Sequence, residues 1–350
     1  MKRIKKLLEY LQKYDVECIL IKGGASIRYF SGFSGDSGFL VVSENGIQLL
    51  VDSRYTEQAK QQCFNIEIIE FKTDLWSKLK QLLGTKKIGF DGEYFNYNDY
   101  ENLVKISAME KLKNISLTAL RAIKENCELE LIKKAVSISD QAFANLIKQI
   151  KVNMTEQELA AILEYEMRKL GSEKVAFETI VASGTRSALP HGIATTKKIE
   201  KGDFVTFDFG ATYGGYCSDI TRTVVIGEAA KWQKELYNIV LNAQKLGCES
   251  VKSGMKASEL DHIVRKNIEK SGYGKYFGHG LGHGVGLEIH ENPFVSGRDN
   301  TKLQPNMVIT IEPGIYIPGK GGLRIEDTVI VENNKGNVLT SFDKQMLEII

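Results

Sequence analysis

The chain has 350 residues, of which 43% are hydrophobic and 26% are charged, the ordinary balance of a globular protein. This length predicts two domains, and the formal net charge of +2 is too small to indicate nucleic acid or an anionic membrane as a partner. No stretch approaches the roughly 20 apolar residues of a membrane span, and the basic N-terminus lacks the apolar core of a signal peptide. We therefore expect a globular protein without a membrane or nucleic-acid partner.

The five cysteines are odd in number, scattered, and free of any CxxC pair. They are Cys18, Cys63, Cys127, Cys217 and Cys248. This usage is typical of reduced thiols and predicts a cytoplasmic protein. Cys217 lies two residues before Asp219 and is interpreted as a small buried hydrophobic residue.

Residues 1–122 alternate between helical and strand patterns and contain no histidine. A helix is predicted over the first 14 residues, with further helices near 54–62 and 75–83 and strands near 16–21, 38–42, 47–52, 64–71 and 87–90. This alternation predicts an α/β domain. With no cluster of metal-type spacing, its expected role is structural or to cover a substrate.

The remainder, residues 123–350, repeats one order of elements. A helix is predicted over 125–150, and a second begins at the capping box Thr155–Glu158; strands rich in aromatic and β-branched residues follow. Helices near 232–251 and from Ser258 then precede a second pair of strands. Helix, helix, hairpin occurs twice, which predicts an internal pseudo-twofold.

The first hairpin carries two acids, Asp208 and Asp219, on either side of Tyr213-Gly214-Gly215. A turn centred between Tyr213 and Gly214 would pair residues whose numbers sum to 427. The two acids would then be direct cross-strand neighbours, with Cβ atoms about 4.5–5.5 Å apart. Like charges so placed are destabilising unless a cation lies between them, so the pattern predicts a metal site.

The second hairpin carries Glu312 and Glu326, which also become cross-strand neighbours if the turn is centred on Gly319. Pro313 weakens a regular ladder here because it cannot donate a hydrogen bond. Two hairpins that each offer a carboxylate pair are more informative than any single strand acid. Placed across a pseudo-twofold axis, the two pairs would hold a pair of cations.

Four of the five histidines lie in two glycine-flanked stretches: His191 in the first, and His279, His283 and His290 in the second. His262 has the surroundings of an ordinary helix residue. His279 and His283 are four residues apart, but the glycines at alternate positions exclude a stable helix and therefore a helical HExxH zinc motif. The glycines would let the backbone approach a crowded site closely; a polar Gly-rich loop is the alternative.

Five segments resemble, in order and spacing, those of the pita-bread metallopeptidases. They are IVASGTRSALPHG, FDFGATYGGYCSDITRT, GHGLGHGVGLEIHE, ITIEPGIY and GGLRIEDT. Within this family the chain looks most like the Xaa-Pro aminopeptidases and Xaa-Pro dipeptidases (prolidases). The resemblance covers essentially the whole chain, because residues 1–122 look like a creatinase-type N-terminal domain. It implies an α/β (α+β) fold in which a pita-bread catalytic domain, residues 123–350, follows that domain.

The resemblance implies five metal ligands, namely Asp208, Asp219, His283, Glu312 and Glu326. In the family the first Asp holds one ion, the His and the first Glu hold the other, and the remaining Asp and Glu bridge both. Four carboxylates neutralise two divalent cations. One nitrogen among many oxygens favours Mn²⁺ or Co²⁺, with Zn²⁺ or Fe²⁺ as alternatives.

The resemblance also implies the chemistry, which is hydrolysis of the bond between an N-terminal residue and proline by a hydroxide bridging the two cations. Glu312 would pass the proton to the leaving nitrogen, and His290 would donate to the tetrahedral oxyanion. His191 and His279 would position the substrate. Arg324 would either orient a bridging carboxylate or meet the carboxylate of the substrate.

Three other interpretations of the same motifs are open. A methionine aminopeptidase shares the five ligands but typically lacks the N-terminal domain, and creatinase keeps both domains without this ligand set. A non-catalytic pita-bread binding protein is the third class, although such relatives lose ligands. The expected substrates are short proline-containing peptides, either dipeptides or longer ones, and the family implies a homodimer.

Overall fold

The computed structural model describes residues 2–72 and 74–349, and the chain divides into two compact units, Met1–Arg121 and Ala122–Ile350. Among the described residues, no helix combines the length and the apolar character needed to cross a membrane.

The first unit is built on one mixed sheet. Its strands are β1 (Cys18–Ile21), β2 (Phe39–Ser43), β3 (Gly46–Val51), β4 (Glu67–Glu70), β5 (Ile88–Phe90) and β6 (Leu112–Asn114). Its helices are α1 (Lys2–Tyr14), α2 (Gly24–Ser31), α3 (Thr56–Gln62), α4 (Leu75–Leu83) and α5 (Tyr97–Ile106), with 3₁₀ turns at Met109–Lys111 and Thr118–Leu120. The sheet order is β4-β3-β2-β1-β5-β6, with β2 antiparallel to both β1 and β3.

Sequence patterns located most elements of the first unit but missed α2, α5 and β6. Helix α2 begins at Gly24 and has no side-chain cap at its N-terminus, so it lacks a start signal. Helix α5 does have one, a capping box in which Asn96 and Asp99 exchange hydrogen bonds. Reading the Asn96 signal would have predicted α5.

The second unit contains the remaining elements. Its helices are α6 (Asn126–Ile147), α7 (Glu156–Lys169), α8 (Lys231–Ser250) and α9 (Ala257–Lys270), with 3₁₀ turns at Gly184–Ala188 and Gly274–Tyr276. Its strands up to α8 are β7 (Lys174–Val175), β8 (Ile180–Ser183), β9 (Phe204–Phe209), β10 (Ala211–Tyr213), β11 (Tyr216–Cys217) and β12 (Ile220–Ile226). Those after α9 are β13 (Gly282–Gly284), β14 (Glu291–Val295), β15 (Val308–Ile311), β16 (Gly314–Ile317), β17 (Gly321–Arg324), β18 (Asp327–Val331), β19 (Gly336–Val338) and β20 (Leu347–Ile349).

The repeated order predicted from the sequence is observed. Helices α6 and α7 pack on the sheet β20-β12-β9-β8, where Phe143 contacts Phe207 and Phe209 within one apolar core. Helices α8 and α9 pack on the sheet β14-β13-β15-β18-β19 around a second core that includes Val240, Val264 and Ile309. Burial of these two apolar faces is what holds each half together.

The first hairpin has a different register from the one predicted. Asp208 pairs with Thr221, so paired numbers sum to 429 rather than 427. The reason is the turn: Gly214 and Gly215 both have positive φ, 57° and 80°, as a two-residue hairpin loop requires, and so both are central turn residues. Because side chains alternate with a period of two, a shift by two keeps Asp219 on the face of Asp208, as a diagonal neighbour.

The second hairpin has the predicted register. Ile311 pairs with Asp327 on β15 and β18, and Gly314 pairs with Arg324 on β16 and β17; both pairs sum to 638. The two glutamates lie in the gap between these ladders, next to Pro313, where the regular pairing is interrupted. The backbone N–H of Glu326 instead donates to the carbonyl of Thr221, at 3.1 Å, which joins the two hairpins at the predicted site.

Candidate metal centre

The predicted ligands converge between the two hairpins. Atoms able to bind a metal on Asp219, His283 and Glu326 all lie within 4.8 Å of one another. The Nε2 atom of His283 is 3.4 Å from Oδ2 of Asp219 and 3.5 Å from Oε1 of Glu312. Asp208 lines the same pocket. The structure thus brings together all five residues that the resemblance implied.

The His283 ring has one nitrogen free to act as a ligand. Its Nδ1 is 3.0 Å from the carbonyl oxygen of Gly284, a group that can only accept, so Nδ1 carries the proton and donates it. The lone pair of Nε2 therefore points toward the carboxylates. A histidine oriented through its other nitrogen in this way is the usual arrangement of a metal ligand.

Glycines allow His283 to lie in the middle of a sheet. It belongs to β13, a short strand between β14 and β15. A Cβ atom on Gly282 would lie 2.1 Å from the carbonyl oxygen of Thr310, and one on Gly284 would lie 2.4 Å from that of Asn292. The predicted close approach of the backbone is confirmed, and it occurs within a strand rather than a loop.

Arg324 is buried and its guanidinium is committed to protein groups. Nη2 donates to Oδ2 of Asp208 at 2.5 Å, and Nε donates to Oγ1 of Thr221 at 3.0 Å. Nη1 donates to the Tyr316 hydroxyl at 2.8 Å and to the carbonyl of Pro190 at 3.2 Å. Of the two roles considered for Arg324, this geometry favours orienting a carboxylate over meeting the substrate.

Burial makes the charged forms of these acids costly. Desolvation, followed by the neighbouring carboxylates, raises the pKa of Asp219 and of Glu326 well above the usual values. Burial is also the main cause that raises the pKa of Glu312. A nearby cation would offset this cost and favour the ionised form of the carboxylates.

Two carboxylate oxygens provide an independent test of whether metal ions fit. Oδ1 of Asp208 and Oε1 of Glu326 are buried and have no hydrogen-bond partner among the described residues, although the other oxygen of each carboxylate is bonded, to Arg324 and to Thr221 respectively. Buried acceptors without a partner are rare because losing water costs free energy. Ionised oxygens facing a shared pocket suit divalent cations, so the residues present fit the group that was predicted.

His279 makes a different set of contacts. Its Nδ1 is 2.8 Å from the carbonyl of Gly280 and its Nε2 is 3.1 Å from the Tyr316 hydroxyl. Nδ1 therefore donates, and Nε2 accepts from Tyr316, which itself accepts from Arg324. Burial, then the nearby Arg324 charge, lowers the pKa of His279 to about 4. His279 thus stays neutral at physiological pH, at the end of a chain of hydrogen bonds.

This buried neutral histidine predicts an acid-sensitive contribution to stability. The folded-state pKa of His279 lies below its ordinary value, so the unfolded chain binds more protons, and stability falls as pH drops from about 6.5 toward 4. We expect His279→Gln to flatten the dependence of the unfolding free energy on pH within this window. Urea unfolding at several pH values measures it; exposed His262 on α9, changed to Gln, is the control. An unchanged slope would contradict the assignment.

Tyr316 was not among the residues predicted from the sequence. It is buried, and burial raises the pKa of its hydroxyl to about 12, so the hydroxyl remains protonated. Its register partner is Gly322, two residues from Arg324 on the same strand. The sequence predicts the register of the second hairpin correctly. That register places Tyr316 close to Arg324 and could therefore have identified Tyr316 as a site residue.

The other two predicted histidines lie at the mouth of the site. The ring of His290 is 4.3 Å from the ring of His283, and partial burial followed by that neighbour lowers the pKa of His290. His191 is exposed on the segment that follows β8. Both residues are exposed and line the pocket, where a bound molecule can reach them.

The segment that carries His191 is held by a buried acid that sequence reasoning missed. Glu156 accepts hydrogen bonds from the backbone N–H groups of Ser183 and Thr195, at 2.8 and 3.0 Å, and from both of their hydroxyls. It also pairs with Arg186. One carboxylate therefore ties both ends of the segment together. Glu156 is the first residue of α7. An acid at that position is already expected from its favourable interaction with the helix N-terminus, so the sequence does not indicate a further role.

The cluster opens into a pocket of about 640 Å³, a size suited to a small ligand. Beside the acids and histidines, its wall is apolar, formed by Phe177, Ile180, Pro190, Ile193, Ile289 and Phe294. A second pocket, of about 540 Å³, shares Pro190, His191 and His279 with the first. A bound molecule can thus extend past the histidines.

Comparisons with known proteins bear on both units. Residues 130–333 match the model of metallopeptidase family M24, and residues 3–123 match that of the creatinase/prolidase N-terminal domain. The Xaa-Pro dipeptidase of Pyrococcus furiosus is 44% identical over 99% of each chain.

Solved structures agree in fold over nearly the same span. An Xaa-Pro dipeptidase from Bacillus anthracis has a TM-score of 0.95 at 41% identity, with 99% of each chain covered. An X-Pro aminopeptidase from Thermotoga maritima has a TM-score of 0.89 at 41% identity, covering 99% of this chain and all of the other. The α/β fold with a creatinase-type N-terminal domain and a pita-bread domain is therefore confirmed.

Enzymes of family M24 use divalent metal ions. Similarity to this family therefore explains why the chain buries a group of carboxylates that needs cations. The chain belongs to metallopeptidase family M24 and is a metal-dependent peptidase.

Proposed function

We propose that the protein hydrolyses the peptide bond between an N-terminal residue and proline, with residues 123–350 as the catalytic domain and residues 1–122 as a separate N-terminal domain. The observation that carries the proposal is the joint presence of a complete five-residue ligand cluster and close similarity to proteins named Xaa-Pro dipeptidase and X-Pro aminopeptidase. The apolar pocket wall supports it further, because a pyrrolidine ring is apolar and donates no hydrogen bond.

The five predicted ligands would together bind two divalent cations. Asp208 would hold one ion, His283 and Glu312 would hold the other, and Asp219 and Glu326 would contribute to both. The unpartnered oxygens of Asp208 and Glu326 support this arrangement. Oxygen-rich ligands with one imidazole favour Mn²⁺ or Co²⁺, with Zn²⁺ or Fe²⁺ as alternatives. When bound, such a pair supplies an acidified water and polarises the scissile carbonyl.

The protein groups then handle protons and charge. Burial raises the pKa of Glu312, which favours its acceptance of a proton, and the carboxyl would then return that proton to the leaving nitrogen. Its Oε2 lies 3.9 Å from Nε of Arg324, a fixed positive charge on the far side of the carboxylate. Arg324 itself holds Asp208 in position through its Nη2.

The histidines act on the substrate. His290 lies beside His283 at the mouth of the pocket and would donate a hydrogen bond to the tetrahedral oxyanion. His191, on the segment held by Glu156, would position the peptide on the side of the second pocket. His279 is bonded to Tyr316, so it would shape the proline side of the pocket through that hydroxyl.

A comparison of two peptide series tests the proposed substrate. We expect Ala-Pro or Ala-Pro-Ala to be cleaved at least tenfold faster than the Ala-Ala peptide of the same length, with Mn²⁺ added. A pocket that fits the proline ring makes apolar contacts with it that an alanine side chain cannot make. Such a difference in apolar contact typically changes the activation free energy by about 1–3 kcal/mol, which corresponds to roughly 10–200-fold in rate. Released amino acids, separated by chromatography, give the rates.

Two controls give this comparison its meaning. A Met-Ala-Ala peptide detects the methionine aminopeptidase alternative, and the metal content of the purified protein tests the non-catalytic alternative, which stoichiometric bound metal would exclude. Equal cleavage of the Ala-Ala series, or cleavage of Met-initiated peptides alone, would reject the proline specificity. The ratio of Ala-Pro to Ala-Pro-Ala turnover also separates a dipeptidase from an aminopeptidase.

A further inference from the structure

Two buried threonines touch the metal-binding carboxylates, and none of the roles above uses them. Thr310 lies on β15 and Thr221 on β12, and both side chains are fully buried. The hydroxyl of Thr310 is 3.3 Å from Oε1 of Glu312, and that of Thr221 is 2.7 Å from Oε2 of Glu326. Each half of the catalytic unit therefore contributes one hydroxyl to one glutamate.

The direction of these hydrogen bonds is determined by the other partner of each hydroxyl. Oγ1 of Thr310 accepts from the backbone N–H of His283 at 3.0 Å, and Oγ1 of Thr221 accepts from Nε of Arg324 at 3.0 Å. Both partners can only donate. A hydroxyl has a single proton, so each threonine must direct its proton to its glutamate.

The two threonines reach different parts of the cluster. Thr310 accepts from the backbone of one proposed ligand, His283, and donates to the side chain of a second, Glu312. These are the two residues assigned to the same ion. Thr221 instead links Glu326, assigned to both ions, with Arg324, which also holds Asp208.

We propose that Thr310 and Thr221 are positioning residues that act on different ions. Thr310 holds both individual ligands of the His283 ion, and Thr221 holds the shared ligand. The inference rests on the proposed division of ligands between two cations. Groups that orient a ligand in this way typically contribute about 10–100-fold to metal affinity.

Calorimetric titration of metal-depleted protein with Mn²⁺ tests the inference. Wild-type protein should show two binding events. Thr310→Val should weaken one event by about 10–100-fold and leave the other within about threefold, whereas Thr221→Val should weaken both. Valine keeps the branched shape and removes only the hydroxyl. Thr310→Ser and Thr221→Ser restore the hydroxyl and should recover most of the affinity, which a merely structural role would not predict.

Thr206→Val provides the matched control, because this buried threonine lies on the neighbouring strand β9 and its hydroxyl contacts only that of Thr223 among the described residues, at 3.0 Å. The absorption spectrum of Co²⁺-loaded protein gives a second readout, since it reports the ligand geometry and should change in Thr310→Val but not in Thr206→Val. If a valine variant fails to melt cooperatively, the corresponding Ala variant replaces it.

The outcomes separate this inference from the proposed function. A wild-type protein that binds two Mn²⁺ ions, with Thr310→Val indistinguishable from Thr206→Val, would overturn the role of Thr310. Equal weakening of both events by Thr310→Val and by Thr221→Val would overturn the assignment to different ions. A wild-type protein that binds fewer than two ions would instead reject the proposed dinuclear site.

Discussion

Asp219→Asn is expected to abolish peptidase activity and to reduce bound metal, while the fold persists. The side chain is assigned to both ions and is surrounded by Asp208, Glu312 and Glu326. Asparagine has the same shape but one negative charge fewer and a weaker ligand oxygen. Mutation of a residue that only hydrogen-bonds to a metal ligand typically lowers metal affinity by about 10–100-fold, and the loss in Asp219→Asn should be larger.

The experiment measures turnover of Ala-Pro in metal-free buffer supplemented with Mn²⁺, and metal content by elemental analysis. Unfolding in the presence of a chelator should occur at a temperature no lower than that of wild-type protein, because the change removes a buried charge. Glu178→Gln is the matched control, since Glu178 is an exposed acid of the same pocket outside the ligand set. Near wild-type turnover in Asp219→Asn would refute the metal site.

The second large effect separates a histidine that binds metal from histidines that act on substrate. His283→Ala should lose metal and activity together, because its Nε2 faces Asp219 and Glu312. His290→Ala and His191→Ala should keep both ions yet lose turnover. For His290 the expected loss in kcat is about 10²–10³-fold, the usual cost of removing one oxyanion donor.

Metal stoichiometry after gel filtration, measured beside kcat and KM, distinguishes the three variants. His262→Ala, on the exposed face of α9, is the control and should match wild-type protein in every measurement. Equal depletion of metal in all three variants would show that the division of roles is wrong. Retention of both ions in His283→Ala would remove that residue from the ligand set.

The contacts of Glu326, which we propose to contribute to both ions, illustrate how the two hairpins depend on each other. The neighbouring Asp327 is fully buried and pairs with Arg222, at 2.9 Å, on the opposite hairpin. Nη1 of Arg222 also donates to the carbonyl of Glu326 itself. The backbone N–H of Glu326 donates to the Thr221 carbonyl, so residues of both halves hold Glu326 in position.

Much of the site could be predicted from local sequence. In the second hairpin, the residue types indicated both the turn and the break in strand pairing at Pro313. The register of this hairpin followed from centring the turn on Gly319. The first hairpin was predicted two residues out of register, because the turn was centred one position too early for two glycines that both need positive φ. The acids nevertheless kept their shared face, since the side-chain period of a strand is two.

Contacts between distant parts of the chain could not be predicted in this way. Arg324 lies 116 residues from Asp208, and Glu156 lies 39 residues from Thr195, so no local periodicity links them. Nothing in the sequence alone assigned Arg324 to a carboxylate rather than to the substrate. That choice is made by the hydrogen bonds that burial in a folded chain imposes on every N–H group.

The order of the residue types and the face of each strand on which they lie can be read from the amino-acid sequence alone, because these features follow from the period of a helix or strand. They were enough to predict the family and the candidate ligands. Three features of the site can be read only from the folded chain: the carboxylate oxygens that have no partner among the described residues, the tautomer of His283, and the hydroxyls that support the glutamates. Those features depend on desolvation and on donors from other elements, which exist only once the two hairpins have packed together.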